Sequence, residues 1–363
     1  MKQLYSHTRS GCISRRSPWA LQIHIHKPVQ MSESAVIRAP SRLERLPLEI
    51  IETIFFYCLD FNLPQASIYL NRALSTPIIY TWLVRLACSS SNPGTKQGFF
   101  TSDYLPPQVD FFAFSDAQRA HLQSAIFKCE WLTLPLIRKC QKQHIEHCIR
   151  RKCEGLEFSA EDKEKLARLT IGPQDPYMPQ NTKRSSVLEF RPQITAPLPG
   201  SSSSSERQVL IWPQTASFQV RIRGHIPDIF QLPACGHIPA RIPDRLLQAP
   251  WTETKLDLLR LLAEYAYIDE DDEHSRADQV LRRVIRNRDF STFWSLMNIS
   301  VRTKVSKYLK PWPVFPAHFR LVLKYGDKEN DPFIEYLVKE RWDDIPGRDP
   351  RLKPALMARA RKG

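Results

Sequence analysis

Glycine is scarce in this chain, with 11 residues in 363, and only Gly94 and Gly98 stand as close as four positions apart. Loops that cradle phosphate need several glycines at short spacing, so neither a dinucleotide fingerprint nor a P-loop can be written anywhere, which argues against the nucleotide-binding folds. None of the eight cysteines forms a CxxC pair. A disulfide framework is therefore a poor fit, and free thiols in a reducing cytoplasm or nucleus are expected. No run approaches the ~18 to 20 apolar residues that a bilayer-spanning helix needs. HExxH, GxSxG and any recognisable His/Asp/Ser spacing are also missing, so the expectation is a non-enzymatic protein without cofactor, metal or membrane.

What the chain has in excess is proline, 29 residues, and positive charge, +14 net. Residues 1–30 hold Lys2, Arg9, Arg15, Arg16 and Lys27 without an acid, and residues 347–363 hold six bases against Asp349, so each end carries +5. The 316 residues between carry +4. On this reading the excess lies in tails, and a nucleic-acid-binding surface is not expected. Residues 1–42 read as a disordered basic extension with Met31 as a second start; an organelle transit peptide shares the composition, but Pro18 and Pro28 interrupt its periodicity.

Residues 43–88 predict three short amphipathic helices, each opening near a proline: Pro47, Pro64 and Pro77. Residues 89–171 predict a helical middle region, with Ser115 capping one helix and residues 134–153 forming another. Residues 172–207, rich in Pro and Ser and ending in five serines, read as a linker. The alternation of Phe218, Val220 and Ile222 predicts a strand or hairpin at the start of a C-terminal helical domain over 208–346. Within that domain, residues 284–297 and 323–338 repeat an apolar helix end, a charged turn and a second helix. The spacing resembles an ankyrin-type solenoid without its TPLHxA signature, and a plain helical bundle fits equally well. Residues 347–363 read as a basic tail. The fold class is mainly α.

Leu46, Pro47, Leu48 and Glu49, followed by Ile50, Ile54, Phe55 and Leu59, spell LPLEIIETIFFYCL, which resembles the start of an F-box. The continuation through Leu63, Pro64, Ala66, Ser67, Leu70 and Leu74 to Tyr80 and Leu86 is similar to the F-box-like domains of filamentous-fungal proteins. The resemblance covers about 45 residues. It implies an adaptor that docks on the small adaptor subunit of a cullin-RING (SCF) ubiquitin ligase and recruits a protein substrate through its C-terminal region. Leu46 and Pro47 would form the entering hook, with Ile50, Ile54, Phe55, Leu59, Leu63, Leu70 and Leu74 forming the apolar contact. The tryptophan that often follows the second helix of F-boxes is absent, since Ala73 and Leu74 stand there and Trp82 comes later. Two other readings remain open: a helical interaction scaffold in which this segment is plain core, and a nucleic-acid-associated protein acting through its basic ends.

Cys129, Cys140, His144, His147, Cys148 and Cys153 are zinc-type ligands by residue class, yet they lack the close pairs of structural zinc sites, and the cysteines read as small apolar helix fillers and the histidines as exposed. The five acids at 269–273 read as a solvated turn. Arg150, Arg151 and Lys152 read as a helix end, complementing its dipole. Trp251, Tyr265, Tyr267, Phe293 and Trp294 mark the region of a C-terminal binding surface, although such aromatics are more often core than contact residues.

Overall fold

The computed structural model describes residues 41–90, 99–171, 187–194, 208–213, 216–221, 228–230, 234–235, 238–306, 308–327, 330–345 and 351–360, and over them the chain is mainly α-helical. The expected N-terminal extension lies outside the described residues up to position 40. Among those described, no helix is long and apolar enough to cross a membrane.

The first three helices are α1 (Leu48–Cys58), α2 (Ile68–Leu74) and α3 (Pro77–Cys88). Pro47 and Pro77 open α1 and α3, where a missing donor costs nothing. Pro64 does not open α2. It sits in a single 3-10 turn, Leu63–Gln65, and the helix begins later because Ser67 can cap it, its Oγ accepting the Leu70 N–H at 3.2 Å. Leu59 ends α1 in the left-handed region at φ 47°, donating its N–H to the Phe55 carbonyl at 2.7 Å. Glycine usually takes that place, and here a leucine accepts the strain.

Helix α3 belongs to the middle of the molecule. Ile79, Leu83, Val84 and Leu86 are buried against α4 (Asp116–Lys128) and α5 (Leu134–Lys152). Carbonyls at its C-terminal end, which no helical N–H can reach, are taken by side chains of α4: Gln123 Nε2 donates to Ala87 O and Arg119 Nη1 to Ser89 O, each at 2.8 Å. The boundary expected at residue 88 thus falls inside one continuous core. Ser115 caps α4 as expected, with Gln118 answering its backbone N–H.

After β1 (Leu156–Glu157) and α6 (Ala160–Ile171), the strands β2 (Leu188–Phe190), β3 (Gln193–Ile194), β4 (Gln208–Trp212), β5 (Ser217–Arg221) and β6 (Asp228–Ile229) follow. A four-stranded antiparallel sheet runs in the order β2-β4-β5-β6, and β3 pairs with β1. The expected hairpin is β4–β5, with Val209 opposite Val220 and Ile211 opposite Phe218. The expected linker is corrected in its middle: Leu188 and Phe190 pair with β4 across from Ile211 and Val209, because Phe190 finds a fully buried place beside Phe158. The sheet edge locks onto the helices twice. Lys152 Nζ pairs with the buried carboxylate of Asp228, and Ser90 exchanges hydrogen bonds with Ile229, donating its N–H to Ile229 O at 3.1 Å and accepting the Ile229 N–H on Oγ at 2.8 Å. A short hairpin, β7 (Ala234–Cys235) with β8 (Ile238–Pro239), follows.

The C-terminal region holds α7 (Glu253–Ala263), α8 (Ser275–Arg286), α9 (Phe290–Met297), the hairpin β9 (Ser300–Val301) with β10 (Lys310–Pro311), then α10 (Pro316–Tyr325), α11 (Pro332–Glu340) and α12 (Leu352–Ala360). The pairs α8/α9 and α10/α11 stack in two layers. One layer is α8, α10 and α12 side by side, and the other is α9 and α11, joined by Phe293 against Phe333 and Tyr336 at 4.9 and 5.5 Å between ring centroids. His318 ties the first layer together. Its Nδ1 accepts the Phe315 N–H at 2.9 Å, and its Nε2 donates to Asp278 O of α8 at 3.3 Å with the Asp278 Oδ1 only 3.0 Å away. The expected basic tail is corrected as well. Leu352 and Leu356, one turn apart, are buried on α10 and α11, so this stretch is in part a helix of the folded body.

Candidate partner-docking surface

Helix α1 is apolar nearly all round, and the fold uses its two sides differently. Ile51, Phe55 and Phe56 face inward and are at most 2% exposed, whereas Ile50 and Tyr57 are 46% and 69% exposed with half-buried Ile54 between them. Positions 50, 54 and 57 share a helical face, which makes an outer stripe. Leu48 at the start of α1, Ile68 and Tyr69 on α2 and Ile78 on α3 are also exposed. Of the twelve large hydrophobic residues exposed among those described, six lie between positions 48 and 78, which singles out this segment as an uncovered apolar surface.

The residues expected from sequence separate into three groups on this frame. Pro47 and Ile50 are exposed and available to a partner. Leu46, Ile54, Leu59 and Leu63 are half-buried, with Leu46, Leu59 and Leu63 packed on the core. Phe55, Leu70 and Leu74 are corrected: at 1 to 2% exposure they are core, because α1 and α2 pack on each other through their inner sides, and no partner reaches them in the folded chain. Leu48, Tyr57, Ile68, Tyr69 and Ile78 take their place on the outside. Trp82 packs inward, its ring edge-on to Phe56 at 5.8 Å, so it braces α1 from behind. Electrostatically the surface is mildly acidic on α1: partial burial, and then the neighbouring Glu49, raise the Glu52 carboxyl above its ordinary range.

A second cluster, of buried polar groups, lies between α3, α5 and the 99–112 loop. The Tyr104 hydroxyl lies 2.9 Å from Ser89 Oγ and 3.0 Å from His144 Nδ1, and His144 Nε2 is 3.6 Å from Cys148 Sγ. Burial pushes His144 down to about 3, so the imidazole is neutral and its two nitrogens divide one donor and one acceptor role between Tyr104 and Cys148. Burial likewise raises Cys148 well above the ordinary thiol range and Cys140 and Cys153 to about 12. Zinc and nucleophilic chemistry both require thiolate, which this environment opposes. His147 Nε2 donates to Phe99 O at 2.7 Å. Among the described residues no three His, Cys, Asp or Glu side chains converge as metal ligands. The histidines expected to be exposed are corrected: His144 and His147 are buried, because Tyr104 and Phe99 of the 99–112 loop cover them and supply their hydrogen-bond partners, and the cluster is an internally satisfied core network.

In the C-terminal region Trp294 is exposed, while Phe293 and Tyr267 are buried and Trp251 and Tyr265 half-buried, so the aromatic surface expected there reduces largely to one residue. The acidic turn is corrected at its first member: Asp269 is buried, its Oδ1 accepting the Arg276 N–H at 2.7 Å and its Oδ2 the Ala277 N–H at 3.2 Å, which secures the start of α8. No protein family model, curated protein or solved structure matches this chain.

Proposed function

We propose that the protein is an F-box-type adaptor, which docks on the small adaptor subunit of a cullin-RING ubiquitin ligase through the outer face of α1 to α3 and recruits a protein substrate through its C-terminal stack. The observation that carries this reading is the uncovered apolar set Leu48, Ile50, Tyr57, Ile68, Tyr69 and Ile78, located on the segment whose sequence resembles an F-box. Each such side chain contributes roughly 1.5 to 3 kcal/mol when covered, and an interface of ~1,200 to 2,000 Å² would accommodate the set. Two helix pairs separated by a hairpin also support an ankyrin-like recruiting domain. Localisation to cytoplasm or nucleus follows from the role.

Ile50→Asp is the variant that tests it. Position 50 is exposed in the first turn of α1, where a carboxylate is favoured by the helix dipole, so the fold and its circular dichroism should be unchanged. Co-purification with the ligase adaptor should be lost, and retention of the adaptor at wild-type level would sink the docking reading. The burial of α3 in the middle of the molecule favours a second reading, a scaffold in which the segment is structural. Under it, even the wild-type chain captures no adaptor.

A further inference from the structure

Among the described C-terminal helices, charge differs by layer. Residues 275–363 hold twenty Lys and Arg against ten Asp and Glu, so +10 of the net charge lies in and around the C-terminal stack. The helices of one layer, α8, α10 and α12, carry Arg276, Arg282, Arg283, Arg286, Arg320, Lys324, Lys353 and Arg359 against Asp278 alone. In the other layer α9 is uncharged and α11 has Glu335, Lys339 and Glu340. Asp278 is already engaged, accepting Arg282 Nε at 2.7 Å beside His318. Arg276 is turned inward to Ile242 O, and Arg359 donates to Gly326 O and Asp327 O. Arg283 and Arg286 are exposed, and among the described residues neither has an ion-pair partner. Arg320 and Lys324, one turn apart, are exposed on α10 alongside. No exposed position of α8, α10 or α12 holds a carboxylate.

We propose that this face of the α8–α10–α12 layer binds an acidic polypeptide segment, one with several Asp or Glu side chains within about 20 Å. The span follows from α8, whose 12 residues rise ~1.5 Å each. Arginine forks match carboxylates bidentately and remain charged at every working pH. Nucleic acid fits less well. A typical DNA site neutralises about 6 to 10 phosphates, more than the four exposed cations of this face, Arg283, Arg286, Arg320 and Lys324, supply, and single strands need aromatic platforms. Tyr325 is the exposed aromatic residue of these three helices, and Lys324 already lies over its ring. Calling the acidic segment a substrate rests on the adaptor reading, whereas the binding itself does not.

The test uses the full chain and a fluorescein-labelled twelve-residue peptide alternating Glu with Ser, read by anisotropy in low salt. Wild type is expected to bind, with affinity falling as salt rises. The double substitution Arg283→Glu with Arg286→Glu should weaken binding at least tenfold, Lys324→Glu should weaken it separately, and Lys339→Glu in the other layer should leave it unchanged. These variants should stay folded by circular dichroism, with the melting temperature modestly lower where Arg283, Arg286 and Lys324 leave the last turns of α8 and α10, since acids there oppose the helix dipole. Absence of wild-type binding, or equal binding by the double variant, overturns the proposal; so does a DNA oligonucleotide of equal charge that binds more tightly than the peptide and is lost with the same double variant. Ile50→Asp should bind the peptide normally, so failure here and failure of ligase docking are read separately.

Discussion

His318 has no exposed surface and binds a backbone N–H with one nitrogen and a carbonyl with the other, an arrangement that only the neutral ring can make. Burial lowers it to about 4 despite the nearby Asp278 carboxylate, with Arg282 adding to the lowering, and His144 lies at about 3 for the same primary reason. In the unfolded chain both would titrate near 6.5, so below that pH the unfolded state takes up protons first. The stability contributed by these neutral rings is therefore complete above pH ~6.5 and is lost as pH falls from there toward 4 and 3. The melting temperature should drop between pH 7.5 and pH 5. His318→Asn keeps an acceptor for the Phe315 N–H, and it should lower the melting temperature at pH 7.5 while making the acid drop shallower. An unchanged slope would exclude His318 as the titrating group. Nothing in the sequence distinguished a buried bridging histidine here from a surface one, since that depends on α8 lying alongside.

At the scale of elements, periodicity was a good guide wherever one side of a helix is polar. It located α5, α8, α10 and α11, and the β4–β5 hairpin, because those segments alternate apolar and polar residues at a single period. It was a poor guide to α1, whose residues are apolar on both sides: spacing put Phe55 in one stripe with Ile50 and Ile54, and the contact that the resemblance implies included it although it belongs to the core. Helix α12 was concealed for the opposite reason: its bases dominate the composition, and only Leu352 and Leu356 carry the packing. Leu356→Ala should cost about 2 to 5 kcal/mol, as for other large-to-small changes in a core. Denaturant melts check this; a cost below half a kilocalorie would mean that α12 is a loose appendage after all.

For the whole molecule, what matters is that the segment with the exposed apolar face and the rest share a core. A fragment of residues 41–90 retains α1, α2 and α3 but exposes Leu83, Val84 and Leu86 and leaves Ala87 O and Ser89 O without Gln123 and Arg119. It is too small to replace that burial, so it should show little cooperative melting by circular dichroism, whereas a fragment ending after β6 should melt cooperatively. Cooperative unfolding of the 41–90 fragment would overturn this view. The placement of charge also changes at this scale. The sequence suggested two basic tails on a nearly neutral body, but Lys353 and Arg359 of the expected C-terminal tail stand on α12, a helix folded onto the stack, so that part of the charge belongs to the folded body.

The paired hydrogen bonds between Ser90 and Ile229 join residues 139 positions apart. A ribosome adding about 5 to 20 residues per second needs roughly 7 to 28 s to cover that distance. For that interval the residues of the helices that bear the apolar face have been made, while the strand that completes their support has not. Time during synthesis, and chaperone cover over that gap, are thus requirements that this topology places on the cell before any partner can meet a finished surface.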